Sequence, residues 1–161
     1  MAARIVGGTP TAGRSLWGCG VSGSVDGPRL NVDSTDTTKL LAQFYHSGGT
    51  NINLGTTAAA AFSSATPHHI ALAVDGPRRL AHMWIDGERD LNVYNKSLGA
   101  AGTVTWPANL RWGGAAANNC QASGWSDMHM LSVAGVLPSN VDDIVALLAT
   151  SRYYRLTDED I

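Results

Sequence analysis

The sequence predicts an all-β fold: a two-sheet antiparallel sandwich with one short C-terminal helix. Three observations carry that prediction. Apolar residues alternate with a period of two at Ile70, Leu72 and Val74, and again at Ala81, Met83 and Ile85. Turn-forming pairs, Asp75-Gly76 and Asp86-Gly87, punctuate the alternation. A single helical pattern, with apolar residues at Val141, Ile144, Val145 and Leu148, closes it. Many short strands, glycine turns and one helix suit two packed sheets rather than alternating strands and helices.

Taken in order, residues 1–15 are rich in Gly, Thr, Ala and Pro, have weak periodicity and read as an extended N-terminal arm. The sandwich is expected over 16–151 and a C-terminal tail over 152–161. Between Leu16 and Leu54 the best strand signals are Arg29–Val32 and Lys39–Tyr45, with a rim loop at His46–Asn51. Ala58–Phe62 reads as a loop or strand rather than a helical turn, given the surrounding Gly, Thr and Ser. His68–Val74 is a strand, Asp75–Arg79 a turn and Leu80–Ile85 the returning strand, with Leu80, His82 and Trp84 on the opposite face from Ala81. After the Asp86-Gly87 hairpin, Leu91–Tyr94 continues the meander. The phrase Val-Asp-Gly-Pro-Arg at 25–29 and 74–78 reads as one turn chemistry used twice. Ser139 and Asp142 form a capping-box pattern at the helix start.

Composition narrows the function classes. The chain has 161 residues, 44% hydrophobic and 15% charged, enough for one domain with a real core. Net charge is −2 and the eleven basic residues form no stripe, so nucleic acid is not expected as a partner. No apolar run approaches the ~18 residues of a membrane span, and the first residues lack the apolar core of a signal peptide. Cys19 and Cys120 are expected as reduced thiols, although a bridge across a sheet stays open. The glycine pattern from Gly18 to Gly23 leads into Ser24-Val25-Asp26-Gly27-Pro28, which cannot open a phosphate-binding helix, so no dinucleotide cofactor is expected. His68 and His69 are adjacent on a strand and face opposite ways, while His82 and His129 read as satisfied sheet residues. No G-x-S-x-G elbow is present.

Four segments, in order, resemble the laminin-G-like, or concanavalin A-like, jelly-roll family. Pro67–Gly76 is similar to the family's WHHVAVTVDG strand, and His82–Gly87 to LYVDG. Leu110–Gly114 is similar to LRIGG, and Gly124–Ala134 with Leu137–Ile144 to the closing GRIDDVRIYNRALSAEEI. The resemblance covers 67–148, about half the chain. It implies a jelly roll, and modules resembling this family occur in phage decoration and tail proteins. Glucanases related to the family use an E-x-D-x-E strand; Glu88 and Glu159 are the only Glu residues here and sit in no such pattern, so no enzyme activity is expected. Calcium is the family's commonest ion; Asp33, Asp36, Asn118 and Asn119 are ligands by residue type alone and form no dense acidic loop, so no metal is expected.

Two binding readings follow. The first is a virion surface component, a capsid decoration or minor structural protein of a tailed phage, assembled in the host cytoplasm. It would contact a capsid or tail protein, or further copies of itself, through Arg4, Ile5 and Arg14 of the arm and Arg152, Tyr153, Tyr154 and Arg155 of the tail. The second is a carbohydrate-binding, lectin-like module that holds a surface glycan. Its candidates are Trp112 and Trp125 for stacking, with Asn118, Asn119 and Gln121 as rim donors and acceptors. The strand-like settings of Trp112 and Trp125 favour the sandwich core over a stacking face.

Overall fold

A computed structural model describes residues 2–5, 12–13, 15–19, 27–45, 51–58, 68–99, 110–112, 125–129 and 137–150. Among these residues the strands are β1 (Ala2–Ile5), β2 (Ser15–Cys19), β3 (Gly27–Val32), β4 (Leu40–Tyr45), β5 (Asn51–Thr56), β6 (His68–Asp75), β7 (Leu80–Ile85), β8 (Glu88–Arg89), β9 (Lys96–Ser97), β10 (Leu110–Trp112) and β11 (Trp125–His129), followed by one helix, α1 (Val141–Thr150). Every strand pairing is antiparallel. One sheet runs β11-β1-β6-β7-β8, with β9 also on β7; the other runs β10-β2-β3-β4-β5.

Both sheets feed one core. Leu30, Val32, Leu40, Ala42, Phe44 and Leu54 come from the β2–β5 side, and Ile70, Leu72, Ala81, Met83 and Ile85 from β6 and β7. The alternation read in β6 and β7 therefore faces inward as expected. Val74 also packs against this core, and Val93 and Leu98 close it from the chain after β8. Burying side chains of this size stabilises the fold by about 1.5–3 kcal/mol each relative to exposure.

The turns follow from local chemistry. Asp86 (φ 54°) and Gly87 (φ 87°) both take positive φ, the requirement of a two-residue hairpin of the primed type. At the β6–β7 turn the Asp75 carboxylate accepts the Arg78 N–H at 3.1 Å, and Arg79 N–H reaches Gly76 O at 3.1 Å. Between β3 and β4, Asp33 Oδ1 accepts the N–H groups of Thr35 and Asp36, and its Oδ2 accepts the Thr56 hydroxyl. The two candidate calcium carboxylates thus organise their own loop, since Asp36 Oδ1 likewise accepts the Thr38 N–H and hydroxyl.

Four expectations are corrected. Residues 2–5 are not an arm: β1 lies between β6 and β11, Ala2 opposite both Ala71 and His129, because an extended segment there satisfies the backbone groups of two strands at once. Leu91–Tyr94 is not a strand. Asp90 Oδ1 accepts the N–H groups of Asn92 and Val93 and curls the chain into a turn before β9. Asn51 belongs to β5 rather than the rim loop, and residues 46–50 lie outside the described residues. Gly27-Pro28-Arg29 opens β3 instead of repeating the turn of 76–78; Pro28 pairs with Phe44 of β4 and has no register partner on β2, so its missing N–H costs no ladder bond there.

The face of the β2–β5 sheet away from the core carries a polar row. Arg29 Nε donates to Ser15 Oγ and Asn31 Oδ1, Ser15 Oγ donates to Asn31 Oδ1, Asn31 Nδ2 donates to Gln43 Oε1, and Gln43 Nε2 donates to Asn53 Oδ1, all within 3.0 Å. The row crosses four strands and sets their register from the outer side.

Candidate functional site

Helix α1 covers the outer face of the other sheet. Its residues Val141, Val145 and Leu148 pack with Ala71 and Ala73 of β6, Trp84 of β7 and Tyr94. Three of the four residues of the predicted helical stripe therefore form the contact face, and Ile144 is not part of that cluster. The hairpin at Gly87 approaches so closely that a Cβ there would sit 3.1 Å from Ala146 Cα.

The start of the helix is fastened by Asp142. Its Oδ1 accepts the Trp84 indole N–H at 2.8 Å and Arg89 Nε–H at 3.0 Å, and its Oδ2 accepts from Arg89 Nη2. This corrects the capping-box assignment: the carboxylate is committed to the sheet below it, a tertiary role that the local pattern Ser139–Asp142 does not encode. The geometric start of the helix is at Asn140, whose carbonyl accepts the Ile144 N–H.

Beside that fastening lies a cleft of about 340 Å³ between the start of α1 and the β6–β7 end of the sheet. Asp75, Arg78, His82, Arg89, Tyr94, Asn95, Ser139 and Asp142 supply its polar groups, and Leu80, Leu137, Pro138 and Val141 its apolar walls. Arg89 lies over the Tyr94 ring at 4.5 Å. His82 meets that ring edge-on at 4.8 Å and Trp84 meets it at 5.5 Å, so three aromatic rings stiffen the floor. Arg78 Nη1 donates to Asp75 Oδ2 at 2.8 Å, with the Asp75 side chain 1% exposed and that of Arg78 62% exposed. The carboxylate therefore sits behind its guanidinium.

Charge in the cleft is set by burial and by these pairs. Burial pushes the Asp75 carboxyl up, but the Arg78 N–H, the Arg78 guanidinium and the charge of His82 outweigh it and hold the group below its ordinary range. Hydrogen bonds from Arg89 draw Asp142 down against burial, helped by Trp84. Burial pushes His82 below its ordinary value, against the pull of Asp75 and Asp142 and with Arg89 and Arg78 reinforcing it. Among the described residues the buried His82 Nδ1 meets no hydrogen-bond partner, which corrects its reading as a satisfied sheet residue.

The sequence candidates fall elsewhere. Arg4 and Ile5 lie on β1, opposite His69 and His68. Trp112 ends β10 opposite Trp17, and Trp125 begins β11 opposite Ile5, which places the two tryptophans on edge strands of different sheets. Arg14, Asn118, Asn119, Gln121, Cys120, Arg152, Tyr153, Tyr154 and Arg155 lie outside the described residues. His68 and His69 do face opposite ways: His68 Nδ1 bonds Asp86 Oδ2 at 2.7 Å, and His69 is buried. Among the described residues no group of three metal-ligating side chains gathers, and no helix is long and apolar enough to cross a membrane. The cleft residues escape sequence reading because they come from 75–95 and 137–142, two segments joined only by the packing of α1.

The described residues define a mostly β protein: two antiparallel sheets around one core, with one short helix seated on an outer face. No protein-family model, curated protein or solved structure matches the chain.

Proposed function

We propose that this chain is a non-enzymatic structural and binding module of the concanavalin A-like, laminin-G-like jelly-roll kind, working on the surface of a tailed-phage virion as a capsid decoration or minor structural protein. One observation carries the non-enzymatic part. Asp33, Asp75, Asp86, Asp90 and Asp142 each accept hydrogen bonds from the protein itself and hold loops, a hairpin or the helix in place. A glycosidase needs a pair of carboxylates facing substrate; these face their own chain. The virion part rests on the ordered resemblance over 67–148, whose segments lie on β6, β7, β10 and β11 and run on to α1.

Because β1 is an inner strand, the contact surface on this reading shifts toward the tail, Arg152–Arg155, with homo-oligomer contacts as a further route. The test is co-sedimentation of the purified chain with empty capsids assembled from the same genome, beside light scattering of the chain alone. Saturable sedimentation that is lost on deleting 152–161 supports the reading. Saturation that survives the deletion removes the tail from it, and no sedimentation refutes it.

A second reading, a carbohydrate-binding module, is favoured by the cleft beside α1, where polar side chains converge on one small space. Selective, saturable binding of glycans by the lone chain, without capsid binding, establishes that reading instead.

A further inference from the structure

The cleft holds more hydrogen-bonding capacity than the protein uses. Arg78 gives one N–H to Asp75, and Arg89 gives Nε–H and Nη2–H to Asp142; the remaining N–H groups of both forks meet no other partner among the described residues. Tyr94, Asn95 and Ser139 line the same space, and the hydroxyls of Tyr94 and Ser139 and the Asn95 amide meet no partner among the described residues. Asn95 is held there by a left-handed backbone, φ 58°.

The order of charges across the cleft is informative. Asp75 is buried beneath an exposed Arg78, and the side chain of Arg89 is 57% exposed where that of Asp142 is 35% exposed. A ligand entering the cleft thus meets guanidinium before carboxylate. Planar N–H forks recognise a planar oxyanion. Hydroxyl and amide groups, which both donate and accept, recognise sugar hydroxyls. The volume is at the small end of the ~300–1,000 Å³ typical of small-molecule sites, which suits a single residue of a glycan.

We infer that the cleft between α1 and the outer sheet face binds a carboxylate-bearing sugar, a uronate or a sialate. Arg78 and Arg89 hold its carboxylate, and Tyr94, Asn95 and Ser139 hold its hydroxyls. The rings of His82 and Trp84, each edge-on to Tyr94, keep it in place. This deepens the carbohydrate-binding reading and is independent of the virion assignment.

The test is calorimetric titration of the full chain with glucuronate and with N-acetylneuraminate, beside glucose and acetate. The expected result is saturable binding of at least one sugar acid and much weaker binding of glucose and acetate. Tyr94→Phe and Ser139→Ala each remove a single hydroxyl and should weaken that binding ~2–10-fold. Arg78→Gln should weaken it ~10-fold or more, since a charged donor is lost. Lys96→Gln, on exposed β9 outside the cleft, should leave it unchanged. Circular dichroism confirms that each variant is folded. Absence of saturable binding by both acids overturns the inference, as does unchanged affinity in folded Tyr94→Phe and Ser139→Ala. Glucose binding as tightly as the acids removes the anion assignment while the broader glycan reading stands. Acetate binding as tightly removes the sugar assignment.

Discussion

Replacing Asp142 with Ala tests whether the helix is fastened to the sheet as described. The change leaves the indole N–H of Trp84, a fully buried side chain, without its acceptor. A hydrogen bond to a charged group contributes ~1.5–3 kcal/mol, and an orphaned buried donor costs a similar amount. The Arg89 contact adds little, because solvent screens that exposed guanidinium. The expected loss is therefore about 1.5–3 kcal/mol, or roughly 3–12 °C in Tm for a chain of this size. Asp142→Asn keeps an oxygen for Trp84 and should lose about 1 kcal/mol. Urea unfolding followed by circular dichroism measures both. A double-mutant cycle of Asp142→Ala with Trp84→Phe isolates the pair, and the expected coupling exceeds ~0.5 kcal/mol. A single-variant loss inside the error of the measurement, with no coupling, would refute the fastening.

Acid should unfold the protein in two windows. His82 has a folded-state pKa below its ordinary 6.5, so its stabilising contribution is complete above that pH and declines as pH falls through it; His82→Gln should remove this upper step from a plot of Tm against pH. Asp75 and Asp142 titrate below their ordinary 3.8, so their contribution is present above that pH and is lost as pH falls further, a step that Asp142→Asn should shrink. Gly87→Ala should cost ~1–3 kcal/mol, because the residue has φ 87° and its new Cβ meets the helix backbone at 3.1 Å; an unchanged urea midpoint would show that the hairpin does not press on α1. Met83→Ala, in the shared core, should cost ~2–5 kcal/mol, read from the same midpoint with the slope unchanged.

Much of the sheet architecture is legible in the chain because its causes are local. Ile70, Leu72 and Val74 alternate with Ala71 and Ala73, and the two sets go to different apolar clusters, as a pleated strand requires. Asp86-Gly87 states its own turn. Leu91–Tyr94 shows where local reading fails: Leu91 and Val93 alternate like a strand, yet the Asp90 side chain competes for the backbone and bends it. The weak periodicity of residues 1–15 conceals β1, whose partners are about 70 and 125 residues away in the chain.

The sequence by itself determined the period-two strands, their hairpin and the apolar stripe of the helix, since side-chain periodicity and turn stereochemistry act over a few residues. Only the tertiary structure decided that Ala2–Ile5 is an inner strand, that Ser15, Asn31, Gln43 and Asn53 form one polar row, and that Asp142 bonds Trp84 and Arg89. It likewise decided that His82, Tyr94 and Ser139 face one cleft. Each of these joins residues far apart in the chain, and a hydrogen bond or cavity between them exists only once both sheets have closed on their core and the helix has settled on its face.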